Sequence, residues 1–198
     1  PAAAALMIIP EEIVTVLFQH GEFTATASLA TATALFAFAT GLPAYVLVKI
    51  LAPGFFARED TTTPVIAGVL SMILNVVLSL ILIRYINHVG IAVATSLSSW
   101  FNVIFLFSIL RRRGHYTADT RLMRRLAGMF LATIIMAGGL FVAREFLSSS
   151  LAGDATDRIL ALVALVAGGG GIYAIGVLIT GAAPLQDIKN MLKRRPNA

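Results

Sequence analysis

An all-α, polytopic transmembrane helix bundle of about six spans is the fold class that this sequence predicts. Three observations carry that reading. First, 58% of the 198 residues are hydrophobic and 13% charged, with a mean hydropathy of +0.88. A soluble surface needs roughly 25% charged residues. Second, the stretches 29–57, 65–83, 89–110, 126–143 and 159–183 are mainly apolar. Each approaches or exceeds the roughly 20 residues that cross about 30 Å of hydrocarbon. Third, Lys and Arg collect in alternate connections, as they do when short loops are retained on the cytoplasmic side. The composition excludes a water-soluble enzyme, a nucleic-acid-binding domain and a disordered tail. The net charge of +5 points instead to contact with anionic membrane lipid. With no cysteine, disulfides, thiolate nucleophiles and Cys-based zinc sites are gone.

Taken in order, 2–18 is a candidate first span interrupted by Pro10, Glu11 and Glu12. It lacks the Lys/Arg-rich start of a signal peptide, and the chain opens directly in apolar sequence, as a piece of a longer protein would. With 29–57, 65–83 and 89–110 it makes four spans within 1–110. A basic loop, 111–125, follows, then two further spans within 126–184 and a basic tail, 185–198. One set of connections holds Arg58, Arg111, Arg112, Arg113, Arg121, Arg124, Arg125, Lys189, Lys193, Arg194 and Arg195; the other holds only Arg84, Arg144 and Arg158. This asymmetry places the C-terminus and the loops at Arg58 and Arg111 in the cytoplasm. The turns at 20–24 and 85–88 then face outward. The tail is either an amphipathic helix in the inner headgroup plane, with Leu185, Ile188, Met191 and Leu192 on one side, or a solvated stop-transfer segment.

Polar residues inside apolar stretches are the candidate functional groups. Lys49 lies about eight residues, roughly 12 Å, from the inner end of its span, and a cation at a helix centre costs at least about 2.5 kcal/mol. Either it snorkels along its own stem or it lines a polar cavity. Gly41, Tyr45 and Ala52 lie within a quarter turn of it. Pro43 and Pro53 flank it and free backbone carbonyls. The next two spans carry polar stripes, Gly68, Ser71, Asn75 and Ser79 on one and Thr95, Ser98, Ser99 and Asn102 on the other. Such stripes serve close packing with interhelical hydrogen bonds, or a hydrated path or cation site built on Asn75 and Thr95. The run at 168–171 lacks the Lys-Ser/Thr of a phosphate loop and reads as packing or a kink. His20, His88 and His115 sit in separate connections with no metal-ligand spacing and read as solvated. Glu11 and Glu12 follow Pro10 in a helical first turn, which favours their charge, with proton coupling as the functional alternative.

One stretch goes beyond composition. The segment GLPAYVLVKILAPGFFAREDTTTP at 41–64 closely resembles the signature of the MurJ (MviN) lipid II flippases, within the multidrug/oligosaccharidyl-lipid/polysaccharide exporter superfamily. Upstream, Pro10, Ile13, Leu17, Phe18, Gly21 and Phe23 resemble that family's P-x-x-I…LF-x-x-G-x-F stretch, and Asn75 and Gly90 sit where its next two helices expect them. The resemblance covers about 10–110; beyond Arg111 it rests on span count and charge. It implies two six-helix lobes followed by two further helices, of which this chain would be the last six spans. The missing N-terminal spans would hold most of the cavity arginines, and the last two spans would form a lipid-facing groove. It further implies a bacterial inner-membrane transporter that moves a lipid-linked sugar outward by alternating access. Lys49 would then face the cavity, and Arg58, Glu59 and Asp60 would form the inner loop after it. Asn75 and Thr95 would be half of a sodium site. Some members carry an acidic residue one turn after the Asn75 position, where this chain has Ser79. The resemblance implies no cofactor beyond a coupling ion, sodium or proton.

Two other readings compete. A drug or O-antigen exporter of the same superfamily shares the architecture, and the 41–64 signature argues against it. An intramembrane enzyme acting on polyprenyl phosphates needs clustered carboxylates or histidines at a membrane face, which this sequence does not show.

Overall fold

The computed structural model describes residues 1–19, 23–113, 120–151 and 153–181. The tail 185–198, His20 and His115 lie outside the described residues. The chain divides into two compact units: Ile9–Thr117, and Ala118–Ala198 grouped with Ala3–Ile8. The boundaries expected from sequence lie at 110, 125 and 184, whereas this division also separates the first few residues from the segment that follows them.

The candidate span at 2–18 is not one helix. It forms α1 (Ala2–Ile8) and α2 (Pro10–Phe18), separated at Ile9, whose φ of −121° and ψ of 43° are not helical. Pro10 is the reason. Its ring disfavours helical geometry at the preceding residue, and it lacks the N–H that would continue the ladder. At 7 and 9 residues, neither piece crosses a bilayer alone.

In the first unit, α2 packs on α3 (Ala25–Phe56), and Thr15 and Ser28 share a hydroxyl hydrogen bond of 3.1 Å. Thr24 caps α3 by accepting from the Ala27 amide at 3.3 Å. The helix continues through Pro43 and Pro53. The next helix, α4 (Thr62–Arg112), has 51 residues, a length of about 77 Å if straight. It is not straight. Ile86 and Asn87 leave helical geometry, Asn87 at φ 50° and ψ −137°, and the chain turns back on itself. A Cβ on Gly90 would lie 2.6 Å from the Leu82 carbonyl carbon, so only glycine lets the returning backbone pass so close. The two arms, 62–85 and 88–112, are the two expected spans.

The second arm is bound to α3 by side chains that reach backbone carbonyls. Ser96 Oγ donates to Ala37 O at 2.6 Å, Trp100 Nε1 to Thr40 O at 3.0 Å and His88 Nε2 to Ala30 O at 3.1 Å. His88 is therefore an interhelical donor, not merely a solvated loop residue. Gly41 permits this approach, since a Cβ there would lie 2.8 Å from Ser96 Cα. Below these bonds Phe55, Ala67, Leu106 and Leu110 form an apolar cluster flanked by Val48, Leu51, Phe105 and Ile109.

In the second unit, α5 (Thr120–Phe146) packs against α7 (Ala155–Ile179), with α6 (Ser148–Leu151) between them in sequence. Their seam is lined by small residues, as bilayer interfaces are where backbones approach closely. A Cβ on Gly176 would lie 3.0 Å from Ala132 Cβ, and one on Gly169 would lie 2.9 Å from Leu140 Cδ2. The helix runs unbroken through the four glycines at 168–171, and of these Gly169 is the one closely packed, against Leu140.

Among the described residues four helices are long and apolar enough to cross a membrane by length and composition, and one of them is the doubled α4. Large apolar side chains cover their outer faces: Met72 is 70% exposed and Phe130 70%. Outside a bilayer or a further protein surface, that distribution would leave far too much apolar area in water.

Candidate functional site

The described residues bring the sequence-predicted groups to three separate places. The first is the α3–α4 connection. There α3 closes with the two hydrogen bonds of a Schellman turn: Asp60 N–H donates to Phe55 O at 3.1 Å and Glu59 N–H to Phe56 O at 3.0 Å. Glu59 occupies the left-handed position, φ 58°, usually taken by glycine. Arg58 is exposed and donates to Gly54 O at 2.8 Å along its own helix.

Asp60 uses both carboxylate oxygens. Oδ1 accepts from the Thr63 amide at 3.0 Å, and Oδ2 accepts from the Thr63 hydroxyl at 2.6 Å. Arg113, at the far end of α4, forms an ion pair with Oδ2, and its second nitrogen reaches Thr63 Oγ1 at 3.3 Å. The Thr63 hydroxyl above all, then the Thr63 amide and Arg113, hold the Asp60 carboxyl at about 2, against its ordinary 3.8. Hydrogen bonds to the ionised form are the dominant cause.

The second place is the seam between the arms of α4. Asn75 Nδ2 donates to Thr95 Oγ1 at 3.3 Å, and Ser79 Oγ donates to Asn75 Oδ1 at 3.1 Å. Thr95 Oγ1 donates to Ile91 O, while the Thr95 carbonyl accepts from Ser98 Oγ at 3.0 Å and Ser99 Oγ at 2.7 Å. The polar stripes of the two spans thus meet. Their oxygens are a donor set of the hard kind that suits a small cation. Among the described residues no group of three His, Asp or Glu side chains is placed to hold a metal.

The third place is Lys49, exposed on α3. Pro53 has no N–H to donate to the Lys49 carbonyl four residues before it. Lys49 lies nine residues before Arg58, about 13 Å along the axis, and the structure does not join it to the Asn75–Thr95 pair or to Asp60.

The family model described as "Lipid II flippase MurJ" matches residues 1–155. The chain belongs to the MurJ family. A "Probable lipid II flippase MurJ" of Rhizobium meliloti (strain 1021) is 39% identical over 200 aligned residues, covering 100% of this chain and 37% of the relative. A protein of the same description from Vibrio cholerae serotype O1 is 33% identical, covering 96% of this chain and 36% of the relative. Among solved structures, "Lipid II flippase MurJ, inward closed conformation" aligns with a TM-score of 0.68 at 21% identity. It covers 95% of this chain and 36% of that one, and the likeness is one of fold. The chain spans little more than a third of the length of these relatives.

Sequence reasoning named Asp60 but missed its partners Thr63 and Arg113. Asp followed by three threonines and a proline before a helix is a legible capping signal. Nothing local marks Arg113, which lies 53 residues from Asp60 and is one of three consecutive arginines.

Proposed function

We propose that this chain is the C-terminal part of a lipid II flippase, a multi-pass transporter of the bacterial inner membrane and not an enzyme. The observation that carries the reading is the family match over 1–155, on a helical bundle whose outer faces are apolar. The substrate would be a lipid-linked diphosphate sugar, carried outward during peptidoglycan synthesis by alternating access between this part and the N-terminal spans of the same protein. The C-terminus and the Arg58 and Arg113 end would lie in the cytoplasm, among anionic lipid headgroups.

Within that reading Lys49 and Arg58 are cationic groups for the diphosphate, and Glu59 and Asp60 shape the loop that presents Arg58. Lys49 is exposed in this chain, and in this reading it would face the remaining spans of the full protein. Asn75 and Thr95 would contribute half of a sodium site, completed by oxygens from elsewhere in the full protein. A proton is the alternative coupling ion.

The test uses the full-length protein in a strain depleted of its own flippase, with membrane levels matched by blot. Restored growth and outward movement of the lipid-linked substrate are expected from the parent. Lys49→Ala is expected to lower transport at normal insertion, since removing an intramembrane cation eases insertion by up to about 3 kcal/mol. Lys49→Arg should recover only part of the activity, because a planar guanidinium does not reproduce a compact ammonium. Failure of the parent would overturn the reading, and full transport by Lys49→Ala would reduce Lys49 to a snorkelling anchor.

A further inference from the structure

We infer that Arg113 is a positioning residue for the substrate-facing loop, acting through Asp60 and Thr63 on Arg58; the substrate part of this inference rests on the function proposed above. Three helix ends meet at one carboxylate. The end of α3 closes on the Asp60 amide, the start of α4 is capped by the Asp60 side chain through Thr63, and the end of α4 delivers Arg113 to Asp60 and Thr63. Both Asp60 oxygens are occupied by these bonds, so Asp60 has little capacity left to meet a substrate group. Arg58 and Glu59, by contrast, are exposed side by side at the tip of the turn.

The turn needs holding. Glu59 stands at φ 58°, where a Cβ is disfavoured, and such a residue keeps its conformation only when its surroundings over-determine it. The flanking amides of Glu59 and Asp60 supply two constraints. The pair of bonds from Arg113 supplies the long-range one, because it ties the turn to a helix end 53 residues away in sequence. Arginine is well shaped for this, since its fork reaches a carboxylate oxygen and a hydroxyl together, which a lysine ammonium does with less geometric definition. At 45% exposure the Arg113 side chain lies at the surface, so the clasp works by geometry more than by buried charge. Released from it, the turn relaxes, and Arg58, which immediately precedes Glu59, loses its fixed place.

The experiment compares the full-length parent with Arg113→Ala, Arg113→Lys and Thr63→Val. Amide exchange of Glu59 and Asp60 reads the clasp directly. It is expected to quicken about tenfold or more in Arg113→Ala, less in Thr63→Val, and to be partly restored in Arg113→Lys. In liposomes, Arg113→Ala is expected to raise the half-saturating concentration of lipid-linked diphosphate about fivefold or more while the maximal rate stays within about twofold. Unchanged amide exchange in Arg113→Ala would overturn the clasp. Quickened exchange with unchanged half-saturation, or a fall in maximal rate alone, would overturn the positioning role. Should Arg113→Ala fail to insert, Thr63→Val and Arg113→Lys decide the same two points. A parent that moves no lipid-linked diphosphate would overturn the proposed function and the positioning role with it, and amide exchange would still judge the clasp.

Discussion

Asn75 donates a hydrogen bond of 3.3 Å to Thr95, although the two residues are twenty positions apart in a segment that is helical almost throughout. Twenty residues of continuous helix would separate them by about 30 Å. The bond exists because the chain reverses at Ile86 and Asn87, midway between them, and lays the second arm of α4 along the first. Two polar stripes that are only local patterns in sequence thereby become one seam.

The reversal predicts the effect of substitution at Asn87. With φ 50° and ψ −137° it holds a conformation that glycine adopts without strain. Asn87→Gly is expected to raise the thermal midpoint in detergent by an amount corresponding to about 0.5–1 kcal/mol, and Asn87→Val to lower it by more. An Asn87→Val protein as stable as the parent would show that the turn has another geometry.

Gly41 and Gly68 form a matched pair of tests. A Cβ at Gly41 would meet Ser96 Oγ at 2.6 Å and Ser96 Cα at 2.8 Å, and the second of these atoms is backbone and cannot rotate away. Nothing lies within 4 Å of a Cβ at Gly68. Gly41→Ala is expected to destabilise by about 1–3 kcal/mol through overpacking. Gly68→Ala should be neutral or stabilise by up to about 1 kcal/mol through helix propensity. Thermal unfolding of both variants checks the contrast, and equal midpoints would contradict the crossing of α3 and α4 at Ser96.

Asp60 carries a pH prediction. Its carboxyl is lowered from 3.8 to about 2 in the folded chain, chiefly by Thr63. A depressed carboxylate stabilises the fold above its unfolded value, and that contribution is lost as pH falls from about 4 toward 2. The difference in thermal midpoint between the parent and Asp60→Asn should therefore be flat from about pH 7 to pH 5 and shrink below about pH 4. A difference that grows with acidity would reverse the sign and exclude Asp60 as the titrating group.

The partition of Lys and Arg predicts orientation. In the full-length protein with all other cysteines removed, Thr62→Cys, Gly114→Cys and Asn197→Cys should react with an impermeant thiol reagent only in opened membranes. Thr24→Cys, Asn87→Cys and Ser149→Cys should react in intact cells. Labelling at Gly114→Cys from outside would place the densest basic loop on the wrong side and overturn the topology.

The class of the protein follows from its residues before any contact is known, because composition and span length are sums over residues and need no knowledge of which residue touches which. The apolar runs at 65–83 and 89–110 and the break signalled by Pro10 are legible for the same reason: hydropathy and a missing N–H act locally. The family, too, is legible, in the 41–64 segment. The partnerships are a matter of three dimensions. His88 reaching Ala30, Ser96 reaching Ala37 and Arg113 reaching Asp60 each join residues more than 50 positions apart. Such bonds depend on the angle at which α3 and the second arm of α4 cross, and that angle is set by the close approach at Gly41. A helical pattern records which residues share a face, but the register between two faces is fixed only when their backbones meet.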